Sequence, residues 1–157
     1  MTTFFKTGEA SNLSGVPQNT IRDWRSKSKD FSNRAEANGK DEKYTRRGLL
    51  SLGVMKVARQ SGASLDEAFS IAFWSIDEIS HWLDIWDMPA WAPGQNVVVK
   101  ETTKARWYFS DGQSNPIVTD DASYISQVST FEDGNCMVMV FDLWAIARNL
   151  PDALVKA

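Results

Sequence analysis

Thr7-Gly8-Glu9-Ala10-Ser11-Asn12-Leu13-Ser14-Gly15-Val16-Pro17-Gln18-Asn19-Thr20-Ile21-Arg22-Asp23-Trp24-Arg25 spaces its apolar residues for two short helices packed on each other. Ala10, Leu13, Val16, Ile21 and Trp24 are the inward positions. Gly15 supplies the turn, because only glycine enters positive φ without a Cβ clash. Pro17 suits the first turn of the second helix, where its missing N–H has no partner to lose. The outward positions of that helix are then Gln18, Asn19, Thr20, Arg22 and Arg25. These side chains donate to phosphates and read base edges. The pattern is that of a helix-turn-helix, with Pro17 to about Ser26 as the helix that enters a major groove.

Working outward, Phe31 to Tyr44 contains Asn38-Gly39, the strongest short signal for a hairpin turn. A charged hairpin beside a helix-turn-helix is expected to act as a wing, with Arg34, Lys40 and Lys43 on the nucleic-acid backbone and Tyr44, Arg46 and Arg47 nearby. Thr45 is placed to cap the next helix, which carries Leu49, Leu52 and Met55 and ends near Ser61-Gly62. Ser64 and Glu67 form a capping-box pair at the start of a further helix, from about Leu65 to Trp74. Ser75 and Glu78 repeat that pattern, marking either a bend or a new helix with Ile76, Ile79, Leu83 and Trp86 on one face.

Pro89 and Pro93 break the helical pattern and suggest a domain boundary. Beyond them the period becomes that of strands. Val97 to Val99 and Arg106 to Phe109 read as strands, Asp111-Gly112 as a turn, and Asp120 to Val128 as a short helix capped by Thr119. Cys136 to Phe141 reads as a central, buried strand. Asp142 then caps a helix through Asn149, ended by Pro151. The expected fold class is α+β: a mainly helical winged helix-turn-helix over residues 1–74, a helix and proline-containing linker over 75–94, and a small α+β unit for dimerisation or effector binding over 95–157.

The 157 residues carry a net charge of −3, unevenly spread. Residues 1–60 hold twelve lysines and arginines against six acids, and residues 61–157 hold five against fourteen. The basic half suits a polyanion, and the acidic half is expected to face away from it. A single cysteine, Cys136, excludes an internal disulfide framework and fits a reducing compartment. With no long apolar run and no signal-peptide pattern, a cytoplasmic, nucleoid-associated protein without membrane contact is expected.

Residues 1–74 resemble the DNA-binding domain of MerR-type transcriptional regulators. Thr20-Ile21-Arg22-Asp23-Trp24 is similar to the family's Thr-Leu-Arg-Tyr-Tyr run. Tyr44-Thr45 matches its Tyr-Ser pair, Leu49 and Leu52 its leucine-bearing helix, and Gly62-Ala63-Ser64-Leu65-Asp66-Glu67 its Gly-aromatic-Ser-Leu-Glu-Glu turn. The resemblance implies a bacterial or phage regulator that binds double-stranded DNA, acts as a homodimer and contacts RNA polymerase, with Arg22 on a phosphate or base. Three departures stand out. Arg46-Arg47 replaces an acidic pair, putting positive charge at a helix start against the dipole. Asp23 replaces an aromatic. The prolines interrupt the long helix through which family members form an antiparallel coiled coil, so dimerisation is expected through the C-terminal half instead.

No catalytic, cofactor or metal site is expected. His81 is the single histidine, flanked by Asp77 and Asp84, too few ligands for a metal, and it is expected to be exposed and paired with Asp77. Asp120 and Asp121 point in different directions and make a poor acid–base pair. Trp74, Trp82, Trp86 and Trp91 suit an aromatic effector pocket, a core against the C-terminal segment or a dimer interface; burial for area alone is the simplest reading. Two rival functions remain open: an excisionase-like or architectural factor that bends DNA, and a ligand- or protein-interaction module with a vestigial helix-turn-helix.

Overall fold

The computed structural model describes residues 4–27, 43–83, 105–110, 115–121, 123 and 138–157, together with the backbone of residues 35–36. Strand β1 (Phe4–Lys6) leads into α1 (Thr7–Ser14), whose start is capped by the Glu9 carboxylate accepting from the Lys6 N–H at 2.8 Å. Gly15 then turns the chain at φ +67°, its N–H donating to the Ser11 carbonyl. Helix α2 (Gln18–Lys27) follows, and the Pro17 carbonyl accepts its first backbone bond. Ala10, Val16, Ile21 and Trp24 are buried and Leu13 packs against them, as the apolar spacing predicts.

Strands β2 (Ala35–Glu36) and β3 (Lys43–Thr45) complete a three-stranded antiparallel sheet in the order β1-β3-β2. Phe5 pairs with Tyr44, and Lys6 with Lys43. The predicted Asn38-Gly39 turn lies outside the described residues.

Helix α3 (Arg46–Gln60) is capped by Thr45, whose hydroxyl accepts from the Gly48 N–H at 3.1 Å. It is buried around most of its circumference, with Leu49, Leu50, Leu52, Val54, Met55 and Ala58 fully enclosed. A helix apolar on all sides belongs in the middle of a core. It ends at Ser61, and Gly62 at φ +98° redirects the chain. Helix α4 (Leu65–Trp82) starts at the Ser64 cap and runs unbroken through Ser75. No bend occurs there because Ser75 is buried among the helix contacts and is not free to cap. The expected division at residue 74 therefore falls inside a continuous helix. No helix among the described residues is long and apolar enough to cross a membrane.

The C-terminal unit is a second antiparallel sheet, β4 (Trp107–Ser110), β5 (Ile117–Thr119) and β6 (Met139–Asp142), in the order β5-β4-β6. The expectation that the last strand is central is not met among the described strands: β4 is their buried middle, and β6 lies beside it with Val140 exposed, while Cys136 and Met137 lie outside the described residues. Thr119 accepts from the Asp121 N–H at 3.1 Å, and most of the helix expected from Asp120 to Val128 lies outside the described residues. Val97 to Val99 lie outside the described residues. Asp142 caps α5 (Leu143–Arg148) through the Trp144 and Ala145 N–H groups, as predicted, and α6 (Asp152–Val155) follows Pro151.

The two halves share one core. Helix α5 packs on α3 and α4, and α6 packs on α1 and α3. Leu143, Ile146, Leu150 and Leu154 belong to the same buried cluster as Ile21 and Leu49. Gly53 permits this approach: a Cβ there would overlap Leu154 Cδ2 and lie 3.0 Å from Leu150 Cδ2. Three polar contacts tie the layers. Tyr108 donates to Ser70 Oγ at 2.7 Å, Trp82 Nε1 donates to the Ala105 carbonyl at 3.0 Å, and the Arg47 guanidinium forks onto Asp77, linking α3 to α4. On the surface side, Arg106 bridges Asp142 at 2.7 Å while stacked on Trp107 and Trp144, and that ion pair raises its already high pKa.

Two predictions follow from these contacts. Burial, reinforced by the Glu67 charge and opposed by the Ser70 bond, raises the Tyr108 hydroxyl pKa well above its ordinary value of 10. The fold thus favours the neutral phenol: its contribution is complete below pH 10 and is lost as pH rises from there toward the folded pKa, by up to about 1.4 kcal/mol per unit. In Tyr108→Phe, denaturant midpoints measured from pH 8 to 11 should decline less steeply above pH 10 than in the wild type; an unchanged profile contradicts the assignment. The Arg47 side chain is only 16% exposed, so its pair with Asp77 lies between exposed pairs (~0–1 kcal/mol) and buried ones (~3–5 kcal/mol). Arg47→Ala should cost about 1–2 kcal/mol and lower the melting temperature by about 3–6 °C in a scan; an unaltered melting temperature contradicts a structural role.

Candidate nucleic-acid interface

Helix α2 presents its polar stripe outward because Ile21 and Trp24 anchor the opposite side in the core. Gln18, Arg22 and Arg25 follow one another at i, i+4 and i+7, so they share a face. Gln18, Asn19 and Arg22 are exposed, while Thr20 and Arg25 are half-buried. Asp23 pairs with Lys27 at 2.9 Å, a turn further along the helix. Arg22, in the middle of the stripe, is exposed and forms no ion pair or hydrogen bond with any described residue.

The remaining predicted contacts divide. Lys43 is exposed at the edge of its strand. Arg46 is half-buried at the start of α3, where its Nη2 donates to the Val155 carbonyl at 3.4 Å. Arg47 is turned inward onto Asp77, which makes it a tie between helices and removes its charge from the surface. Tyr44 is corrected in the same way: it sits in the middle strand of the first sheet, 1% exposed, with its ring in the core. Alternation along β3 sends Lys43 outward and Tyr44 inward. Arg34 and Lys40 lie outside the described residues.

Two basic residues were not predicted. Lys6 is brought opposite Lys43 by the β1–β3 register. Like charges across a strand pair are unfavourable on their own, and an anion between them relieves that cost. Lys56 reaches back from α3 to the turn, its Nζ 2.6 Å from where a Gly15 Cβ would lie. Neither is legible from spacing: the first needs a pairing between segments 37 residues apart, and the second a helix crossing.

The other predicted features resolve simply. Asp77 pairs with Arg47, which corrects the expected His81–Asp77 contact; His81 is itself half-buried on α4. No group of three or more potential metal ligands occurs among the described residues. Trp82 is tied to the C-terminal sheet through Ala105, whereas Trp74 is exposed and meets Phe73 edge-to-face at 5.4 Å. Trp86 and Trp91 lie outside the described residues.

Comparison with known proteins agrees with this geometry in the first half of the chain. Residues 5–71 match the family model of the MerR HTH family regulatory proteins. No curated protein matches the chain. The matched span runs from β1 through the first turns of α4 and contains every described residue of the candidate interface. Residues 5–71 are thus a MerR-like helix-turn-helix domain of the kind found in DNA-binding transcription regulators.

Proposed function

We propose that this chain binds double-stranded DNA in a sequence-specific manner as a transcriptional regulator, with α2 in the major groove. The observation that carries this reading is Arg22: exposed, unpaired among the described residues, and centred on a polar stripe whose opposite side is locked into the core. Gln18, Asn19 and Thr20 extend the base-reading edge toward the start of the helix, and Arg25 extends it the other way. Lys43 and Lys6, with Arg34 and Lys40 of the connecting segment, hold the backbone beside it. Arg46 at the start of α3 and Lys56 beside the Gly15 turn add positive charge.

A single such helix reads too few bases for useful specificity, and two copies on paired half-sites multiply it. The regulator is therefore proposed to act as a homodimer. Helices α5 and α6 are spent on their own chain's core, so among the described residues of the C-terminal half the second sheet is the part available to a partner copy. Recruitment of RNA polymerase belongs to the same reading. An architectural, DNA-bending role is disfavoured by the acidic balance of residues 61–157, which would repel a duplex wrapped around the protein.

The test is selection of bound sequences from random duplexes, followed by anisotropy titrations on the selected site. Arg22→Ala should lose about 10- to 100-fold in affinity there, as expected for a lost base or phosphate contact of ~1–3 kcal/mol, with its melting temperature unchanged. Unaltered affinity with a lowered melting temperature would place Arg22 in the fold and overturn the orientation of α2.

A further inference from the structure

The C-terminal helix ends against the DNA-binding half, and the contact falls on a residue of the proposed interface. Arg46, Leu50 and Gly53 lie at i, i+4 and i+7 on one face of α3. Helix α6 lies along that face. Leu154, fully buried, occupies the space that Gly53 leaves by having no side chain. One residue on, the Val155 carbonyl accepts from Arg46 Nη2 at 3.4 Å. That carbonyl belongs to the last turn of α6, so it has no partner within the helix.

Arg46 needs such a partner. At the first position of α3 its positive charge opposes the helix dipole. Its Nε is buried and has no hydrogen-bond partner among the described residues, and the Val155 contact is long. Among the described residues the guanidinium is therefore oriented by one long bond and not saturated; its buried Nε is out of reach of a phosphate, which leaves the Nη end for an oxyanion. Its neighbour Arg47 shows the contrasting case, with both Nη groups committed to Asp77. An arginine presents five N–H donors in a rigid fork, and one held end leaves the other preorganised for an oxyanion.

We propose that α6 is a positioning element of the DNA interface: seated on Gly53 through Leu154, it uses the Val155 carbonyl to aim Arg46 at a backbone phosphate. The acidic C-terminal half thereby contributes to DNA binding without offering a positive charge of its own. Helix α6 follows β6, the Asp142 cap and α5 directly in the chain. This inference rests on the proposed DNA-binding function.

The experiment measures affinity for the selected duplex against potassium chloride concentration in the full chain. Its variants are Gly53→Ala, Arg46→Ala and the two combined, with Arg22→Ala as a reference. The alanine at 53 is the better helix former and keeps α3 intact, while its Cβ displaces Leu154. Leu154→Ala releases α6 without any overlap and is the second route to the same state, should Gly53→Ala not fold. Each phosphate contact contributes about 0.9 to the slope of log K against log salt. Arg46→Ala and Gly53→Ala (or Leu154→Ala) are each expected to make the slope shallower by about 0.9, and the combination to be no shallower than Arg46→Ala alone. A displaced α6 with the wild-type slope, or slopes that add in the combination, overturns the positioning role while leaving the DNA reading standing. A wild-type chain with no salt-dependent binding, matched by Arg22→Ala, overturns both.

Discussion

Helix α3 is the constraint on which everything else in this chain depends. Ten of its fifteen residues are buried, and its neighbours on different sides are α1, the first sheet, α4, α5 and α6. Each of those elements has one apolar face and needs a surface to cover it. The helix-turn-helix supplies only part of that surface: Ala10, Val16, Ile21 and Trp24 are too few to enclose Leu49, Leu50, Leu52 and Met55 by themselves. The C-terminal helices finish the enclosure. Gly53 is where this is most visible, since any larger residue would hold α6 away and open the core at Leu154.

The charge asymmetry of the sequence takes on a concrete meaning in this arrangement. Lys6, Arg22, Lys27 and Lys43 are exposed, whereas two acids of the second half, Asp77 and Asp142, are tied to arginines. Asp77 holds Arg47 and so subtracts one cation from the interface. Asp142 holds Arg106 in a stack with Trp107 and Trp144. Pairs that are mostly exposed contribute little to stability, but they decide which cations remain available to a ligand. Arg22 remains available; Arg47 does not.

Much of this was legible in the sequence, and the failures share a cause. The turn at Gly15, the caps at Thr45, Ser64 and Asp142, and the break at Gly62 are local events governed by one or two residues, and each stands where its residue type requires. Inward and outward faces of α2 were equally readable, because a 3.6-residue period leaves no ambiguity around Ile21 and Trp24. Long-range pairing was not. Spacing alone reads Tyr44 as a surface residue, whereas β3 lies between β1 and β2; among the described strands of the second sheet β4, not the strand of Phe141, lies in the middle. Arg47 and His81 both compete for Asp77, and only the crossing of α3 and α4 decides between them. Pro89 and Pro93 break the helical pattern, and nothing local reveals that the chain beyond them returns to the same core.

That return is most directly tested by native-state hydrogen exchange, which resolves the opening free energy of each helix. If α3 is enclosed jointly by the helix-turn-helix and the C-terminal helices, the slowest amides of α2, α3 and α5 should exchange through one global opening, with the same free energy and the same denaturant dependence. Amides of residues 143–155 opening at a clearly lower free energy, while those of α2 and α3 stay protected, would show two independent units and contradict a shared core.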